Sequence, residues 1–155
     1  MRKATLCILL ENDSVLLGMK KRGFGQGRWN GFGGKVNEGE TIEAATIREL
    51  KEESGIAADA LEKVAVLDFL FSQKPDWNMQ VHVFLSKEWE GEPRESDEMK
   101  PQWFNVDAIP FDSMWPDDKF WLPRVLKGEK LRASFTFAEG DKITSSHIEA
   151  VDELN

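Results

Sequence analysis

Tyrosine is missing from this chain, cysteine occurs once and histidine twice. With Cys7 alone, no intrachain disulfide can form, so the fold must rest on its core and a reducing compartment is the expectation. Cys7 lies in the run Thr5 to Leu10 and reads as a small buried hydrophobe. The histidines lack ligand spacing: His82 falls within the strand-like Val81-His82-Val83-Phe84, and His147 has no partner, so neither suits a metal or a nucleophile. Long apolar runs are missing too. The first is broken by Glu11-Asn12-Asp13, too early for a signal-peptide core or a membrane span, so no membrane partner is expected. A cytoplasmic protein is the expectation, with mitochondrial or nuclear residence also open. Positive charge is in short supply, with 20 Lys and Arg against 28 Asp and Glu, net −8. That balance disfavours a nucleic-acid polymer or an anionic membrane as partner. A polyanionic small molecule would need local help, from bound cations or from Lys20, Lys21, Arg22 and Arg28. The same basic run also reads as a solvated strand end.

What is present is a packable chain. Its 155 residues include six Trp and ten Phe, enough apolar mass for one domain of about the commonest size, and a monomer is expected. Thr5 to Leu10, Ser14 to Lys20, Val64 to Phe71, Met79 to Ser86, Gln102 to Phe104, Leu131 to Phe137 and Ile143 to Ile148 read as strands between polar turns, and together favour a mixed sheet. Gly23, Gly25, Gly27, Gly31, Gly33, Gly34 and Gly39 crowd one stretch. Phe24, Trp29 and Phe32 among them point to a shaped loop rather than a flexible spacer.

Thr41 to Ser54 reads as a helix, with Thr41 as cap, Glu43 in the first turn and Gly55 just past the end. A shorter helix is expected over Lys119 to Leu126 despite Pro123. Projected at 3.6 residues per turn, Ala44, Ile47 and Leu50 share one sector, and Glu49, Glu52 and Glu53 another that can leave the core. Spaced i, i+3 and i+4, these three acids can meet on one face, where their mutual repulsion is relieved by a hard divalent cation. The alternative is an ordinary solvated face. Gly33 and Gly34 just upstream permit close backbone approach and left-handed geometry, to cradle phosphate or simply to turn the chain, while Gly39 reads as a plain turn residue.

From Gly34 to Ile56 the chain resembles the complete catalytic motif of the Nudix hydrolases, in residue identity and spacing. The resemblance implies an α+β fold, an α/β/α sandwich with a mixed sheet and a catalytic loop–helix–loop. It implies Mg²⁺, with Mn²⁺ as a substitute, on Gly34, Glu49, Glu52 and Glu53 and on the more distant Glu98. Glu98 otherwise reads as one solvated acid within Glu95-Ser96-Asp97-Glu98. Arg48 would orient an acidic side chain rather than bind metal. Glu53 is the candidate general base, with activation shared among several carboxylates as the alternative.

Beyond the motif, GMKKRGFGQGRWNGFGGKV at 18–36, ESDEMKPQWF at 95–104, PFDSMWPDD at 110–118 and WLP at 121–123 are similar to the animal branch that hydrolyses oxidised purine nucleoside triphosphates. That similarity implies hydrolysis of substrates such as 8-oxo-dGTP and 2-oxo-dATP to monophosphate and pyrophosphate, with Thr5, Lys20, Phe24, Asn30, Phe69, Phe71, Met79, Trp115, Asp117, Asp118, Trp121 and Phe137 around the nucleotide. Trp115 offers a flat face, while Asn30, Asp117 and Asp118 offer polar edges. Asp117-Asp118 after Pro116 also reads as a plain helix start. Trp89, Trp103 and Phe104 read as core or rim packing. The loop from Phe71 to Met79 is one residue longer than its vertebrate counterpart and carries Trp77, which leaves base preference open. A Nudix enzyme for another modified nucleotide such as N6-methyl-dATP and a non-catalytic nucleotide-binding protein are the alternatives.

Overall fold

The computed structural model describes residues 1–154. Chain order is β1 (Arg2–Glu11), β2 (Ser14–Lys20), β3 (Trp29–Asn30), α1 (Ile42–Ser54), β4 (Glu62–Phe71), β5 (Met79–Ser86), β6 (Met99–Asn105), α2 (Asp118–Leu126), β7 (Lys130–Ala138) and β8 (Lys142–Val151). The strands form one sheet in the order β3-β2-β1-β5-β4-β7-β8, with β6 paired to β2. β1 runs parallel to β5 and β4 parallel to β7, while the other pairs are antiparallel, so the sheet is mixed as expected.

Period-2 alternation sorts the strand residues onto two faces. Leu6 and Ile8 of β1 join Val15, Leu17, Val81 and Val83 in a core completed by Trp121, Leu122 and Val125 of α2. Cys7 and Leu9 face the other way, onto Leu16, Phe32, Ile56 and Leu50 of α1. One helix therefore covers each face, the layering of an α/β/α sandwich. Among the described residues, no helix is long and apolar enough to cross a membrane.

The ends of α1 follow the local chemistry. Thr41 Oγ1 accepts the Ala44 N–H at 3.1 Å, and Gly55, at φ 79°, donates its N–H to the Lys51 carbonyl. The expected faces need correction. Ala44 is exposed, and the helix buries Ala45, Thr46, Leu50, Glu53 and Ser54. Its apolar stripe is rotated by one residue, and its last turn dips beneath the glycine loop, so Glu53 does not leave the core.

β2 and β5 match their expected bounds, whereas β4, β6, β7 and β8 run further at one or both ends than their apolar runs suggested. β3 was hidden among glycines.

Candidate active site

The loop preceding α1 lies directly on β1. Thr5 N–H donates to the Gly34 carbonyl at 2.9 Å, and Cys7 and Phe32 exchange backbone hydrogen bonds. A Cβ on Gly33 would stand 1.8 Å from the Thr5 carbonyl oxygen, and one on Gly34 would stand 2.6 Å from the Glu49 carboxyl carbon. Close approach thus explains both glycines. Neither adopts the left-handed geometry expected of it, whereas Gly39 does, with open space around it, as a turn residue should.

That approach lets Gly33 N–H donate to Glu53 Oε1 at 2.8 Å. Burial pushes the Glu53 carboxyl up to about 7; the Gly33 N–H opposes this, the Glu49 charge adds to it, Lys20 opposes it and Glu98 adds to it. Arg48 organises the neighbouring acids. Its Nε and Nη2 fork onto Glu40 at 2.8 and 3.0 Å, Nη1 reaches Glu49 at 2.8 Å and Glu52 at 3.3 Å, and Nη2 also donates to the Lys35 carbonyl. Hydrogen bonds from Arg48 and then from the Asn37 N–H hold the Glu40 carboxyl down at about 2. Glu40 was missed as a site residue although it lies within the motif, eight positions before Arg48.

The carboxylates do not gather as tightly as i, i+3, i+4 spacing allows. Among the described residues, no three His, Cys, Asp or Glu side chains form a metal cage. Arg48 draws Glu52 outward and braces Glu49, while Arg22 holds Glu98 at 2.9 Å with Lys20 at 3.9 Å. The Gly34 carbonyl already accepts one hydrogen bond, so a ligand role would use its second lone pair. The donor set nevertheless fits a hard divalent cation: Glu53 is buried and feels the like charges of Glu49 and Glu98.

Glu53 also lines a cavity of about 340 Å³, as do Gly33, Gly34 and Lys35. All twelve residues assigned to the nucleotide by resemblance line the same cavity: Thr5, Lys20, Phe24, Asn30, Phe69, Phe71, Met79, Trp115, Asp117, Asp118, Trp121 and Phe137. Arg48, Glu49, Glu52 and Glu98 lie outside its wall. Leu67 and Val81 line it as well, and strand alternation from Phe69 and Met79 could have found them. Arg28, read only as part of a basic run, lines it with its guanidinium 3.9 Å from the Trp115 ring centroid and an ion pair to Asp141 at 2.7 Å. No sequence signal links residues so far apart.

Asp117 and Asp118 are both buried. Asp117 precedes α2 but does not cap it; its Oδ2 accepts the Trp121 indole N–H at 2.8 Å. Asp118 Oδ2 has no partner among the described residues, nor has Thr5 Oγ1. Burial raises both acids above the ordinary aspartate range, and the Asp117 charge raises Asp118 further. Two adjacent buried carboxyls that resist ionising suit a site that presents both a donor and an acceptor to one ligand edge.

A NUDIX domain family model matches residues 1–125. The chain belongs to the Nudix family. This Nudix chain is 52% identical to the mouse oxidized purine nucleoside triphosphate hydrolase over 153 residues, spanning 99% of the chain and 97% of the mouse protein. It is 49% identical to the protein of that name from Danio rerio, over 97% of the chain and 96% of that protein. Among solved structures, it superposes on the mutator MutT protein of Bacillus halodurans with a TM-score of 0.86 at 28% identity, covering 96% of this chain and 98% of that one. The Nudix fold implicates a divalent metal cofactor.

Proposed function

We propose that this protein hydrolyses oxidised purine nucleoside triphosphates, such as 8-oxo-dGTP and 2-oxo-dATP, to monophosphate and pyrophosphate in the presence of Mg²⁺, sanitising the nucleotide pool. The observation that carries the reading is the shared cavity: Gly34 and Glu53 of the motif, with Gly33 just before it, line the same space as Trp115, Asp117 and Asp118. The names of the mouse and Danio rerio relatives support the substrate class.

Trp115 offers the base an aromatic face, and Phe69, Phe71 and Phe137 exclude water around it. A protonated Asp118 donates to a purine acceptor while Asp117 accepts from a purine N–H, or the two exchange roles. Lys20 brings positive charge to the phosphates from the cavity wall. Glu49, Glu52, Glu53 and Glu98, with the Gly34 carbonyl, would hold Mg²⁺ or Mn²⁺. When bound, such an ion neutralises phosphate charge and acidifies water. Arg48 keeps Glu49 and Glu52 in place, and Gly33 N–H orients Glu53 to receive the proton of the attacking water. Water adds to phosphorus as the bridging P–O bond breaks, and pyrophosphate and monophosphate leave without a covalent enzyme intermediate.

Incubation with each candidate nucleotide, with and without Mg²⁺, followed by separation of the products, tests this directly. Mg²⁺-dependent monophosphate and pyrophosphate are expected. Diphosphate and orthophosphate would overturn the bond assignment, and binding without turnover would leave a nucleotide-binding protein.

A further inference from the structure

We propose that Trp77 is a positioning residue for base selection, holding Phe24 across the mouth of the cavity so that Phe24 and Trp115 meet the nucleobase as one wall. This rests on the reading of the cavity as a purine site. Trp77 touches two residues that line the cavity without lining it itself. Its ring is edge-on to Phe24 at 5.6 Å and 75°, and edge-on to Phe71 at 5.9 Å and 76°. Phe24 in turn lies 4.9 Å from Trp115. The aromatic contact therefore runs from the β2–β3 loop to the β4–β5 loop over the cavity.

The two partners are held very differently. Phe24 is 56% exposed and stands between Gly23 and Gly25 in a turn closed by the Gln26 N–H on the Gly23 carbonyl, so its backbone is held while its ring depends on its neighbours, Trp77 (38% exposed) among them. Trp77 ends a 3₁₀ turn opened by Pro75, and it donates its N–H to the Lys74 carbonyl. Asn78 Oδ1 ties the base of that loop to Phe71 N–H at 2.7 Å, and Lys74 Nζ sits 4.1 Å from the Trp77 ring centroid. The braced indole thus adds a second ring contact to a phenyl whose other ring neighbour is Trp115. Such edge contacts are worth about two- to tenfold in an equilibrium constant.

The test compares wild type with Trp77→Ala, Trp77→Phe, Phe24→Ala and the Phe24→Ala/Trp77→Ala double variant, using kcat and KM for 8-oxo-dGTP and dGTP and a melting curve for each protein. Trp77→Ala is expected to raise KM for 8-oxo-dGTP about three- to tenfold while kcat stays within about twofold, and Trp77→Phe to restore KM to within about twofold of wild type. In the Phe24→Ala background, adding Trp77→Ala should change KM less than about twofold, since its target is gone. An unchanged KM in Trp77→Ala, an effect of the same size in both backgrounds, or a Trp77→Phe variant as impaired as Trp77→Ala would overturn the positioning role. A wild type that neither binds nor turns over 8-oxo-dGTP or dGTP would overturn the purine reading itself, which separates the two failures.

Discussion

Asp118 shows how burial decides behaviour one residue at a time. Its neighbour Asp117 is answered by the Trp121 N–H, but Asp118 Oδ2 has no such donor among the described residues. The folded chain therefore holds a proton on Asp118 more tightly than the unfolded chain, where the ordinary value is 3.8. For a carboxyl raised in this way, the stabilising contribution is fully present below the unfolded value and is lost as pH rises through the folded one. Asp118→Asn should accordingly raise Tm at pH 8 and converge with wild type near pH 4, as thermal unfolding across pH would show. A lower Tm at pH 8 would mean that the charged carboxylate is stabilising after all. Glu53 poses the converse question, because the proposed chemistry needs its carboxylate. Glu53→Gln keeps an oxygen for the Gly33 N–H and retains the side-chain volume, so circular dichroism should be preserved while single-turnover hydrolysis falls by about a hundredfold or more. Near-wild-type turnover at saturating Mg²⁺ would remove Glu53 from the chemistry.

The glycine loop and α1 act as one element, and their two close approaches separate folding from function. An added Cβ at Gly33 meets the Thr5 backbone, which cannot yield without breaking the loop's seat on β1. At Gly34 it meets the far end of the Glu49 side chain, which can swing away. Gly33→Ala should cost on the order of 3 kcal/mol of stability by denaturant unfolding. Gly34→Ala should unfold close to wild type yet lose activity, because the displaced carboxylate belongs to the site. The opposite ranking would contradict this account of the loop. The ends of α1 were legible from Thr41 and Gly55, since capping is local chemistry. The depth of Glu53 was not, because its burial comes from a loop twenty residues upstream and no helical projection contains that partner. For the same reason Arg28 was legible only as part of a basic run and not as cavity wall: its partners Trp115 and Asp141 are joined to it by the fold alone. Strands β2 and β5 were legible in full because turns and alternation bound them on both sides, whereas β3 consists of two residues inside a glycine-rich stretch.

On the scale of the molecule, a helix on each face of the mixed sheet separates two tasks. In the proposed reading, α1 carries the acids that serve the phosphates, and the segment opening α2 carries the acids that read the base; Glu53, Asp117 and Asp118 all line the cavity. The sheet between them spares Thr5, Leu67, Phe69, Met79 and Val81 for the cavity wall. Net charge of −8 weighs against long-range capture of a triphosphate, so local groups such as Lys20 and a bound cation must supply the attraction. In this arrangement a single cavity would both read the base and present the phosphates to the motif, a double role open to experiment. Its most direct test is kcat/KM for 8-oxo-dGTP, 2-oxo-dATP, N6-methyl-dATP and dGTP, measured across pH in wild type, Asp117→Asn and Asp118→Asn. Losing a buried hydrogen-bond match costs about 1–3 kcal/mol, so losses of roughly five- to more than a hundredfold are predicted on some bases and little loss on others. Equal losses on all four nucleotides with unchanged pH profiles would contradict the account and leave the acidic pair a structural role.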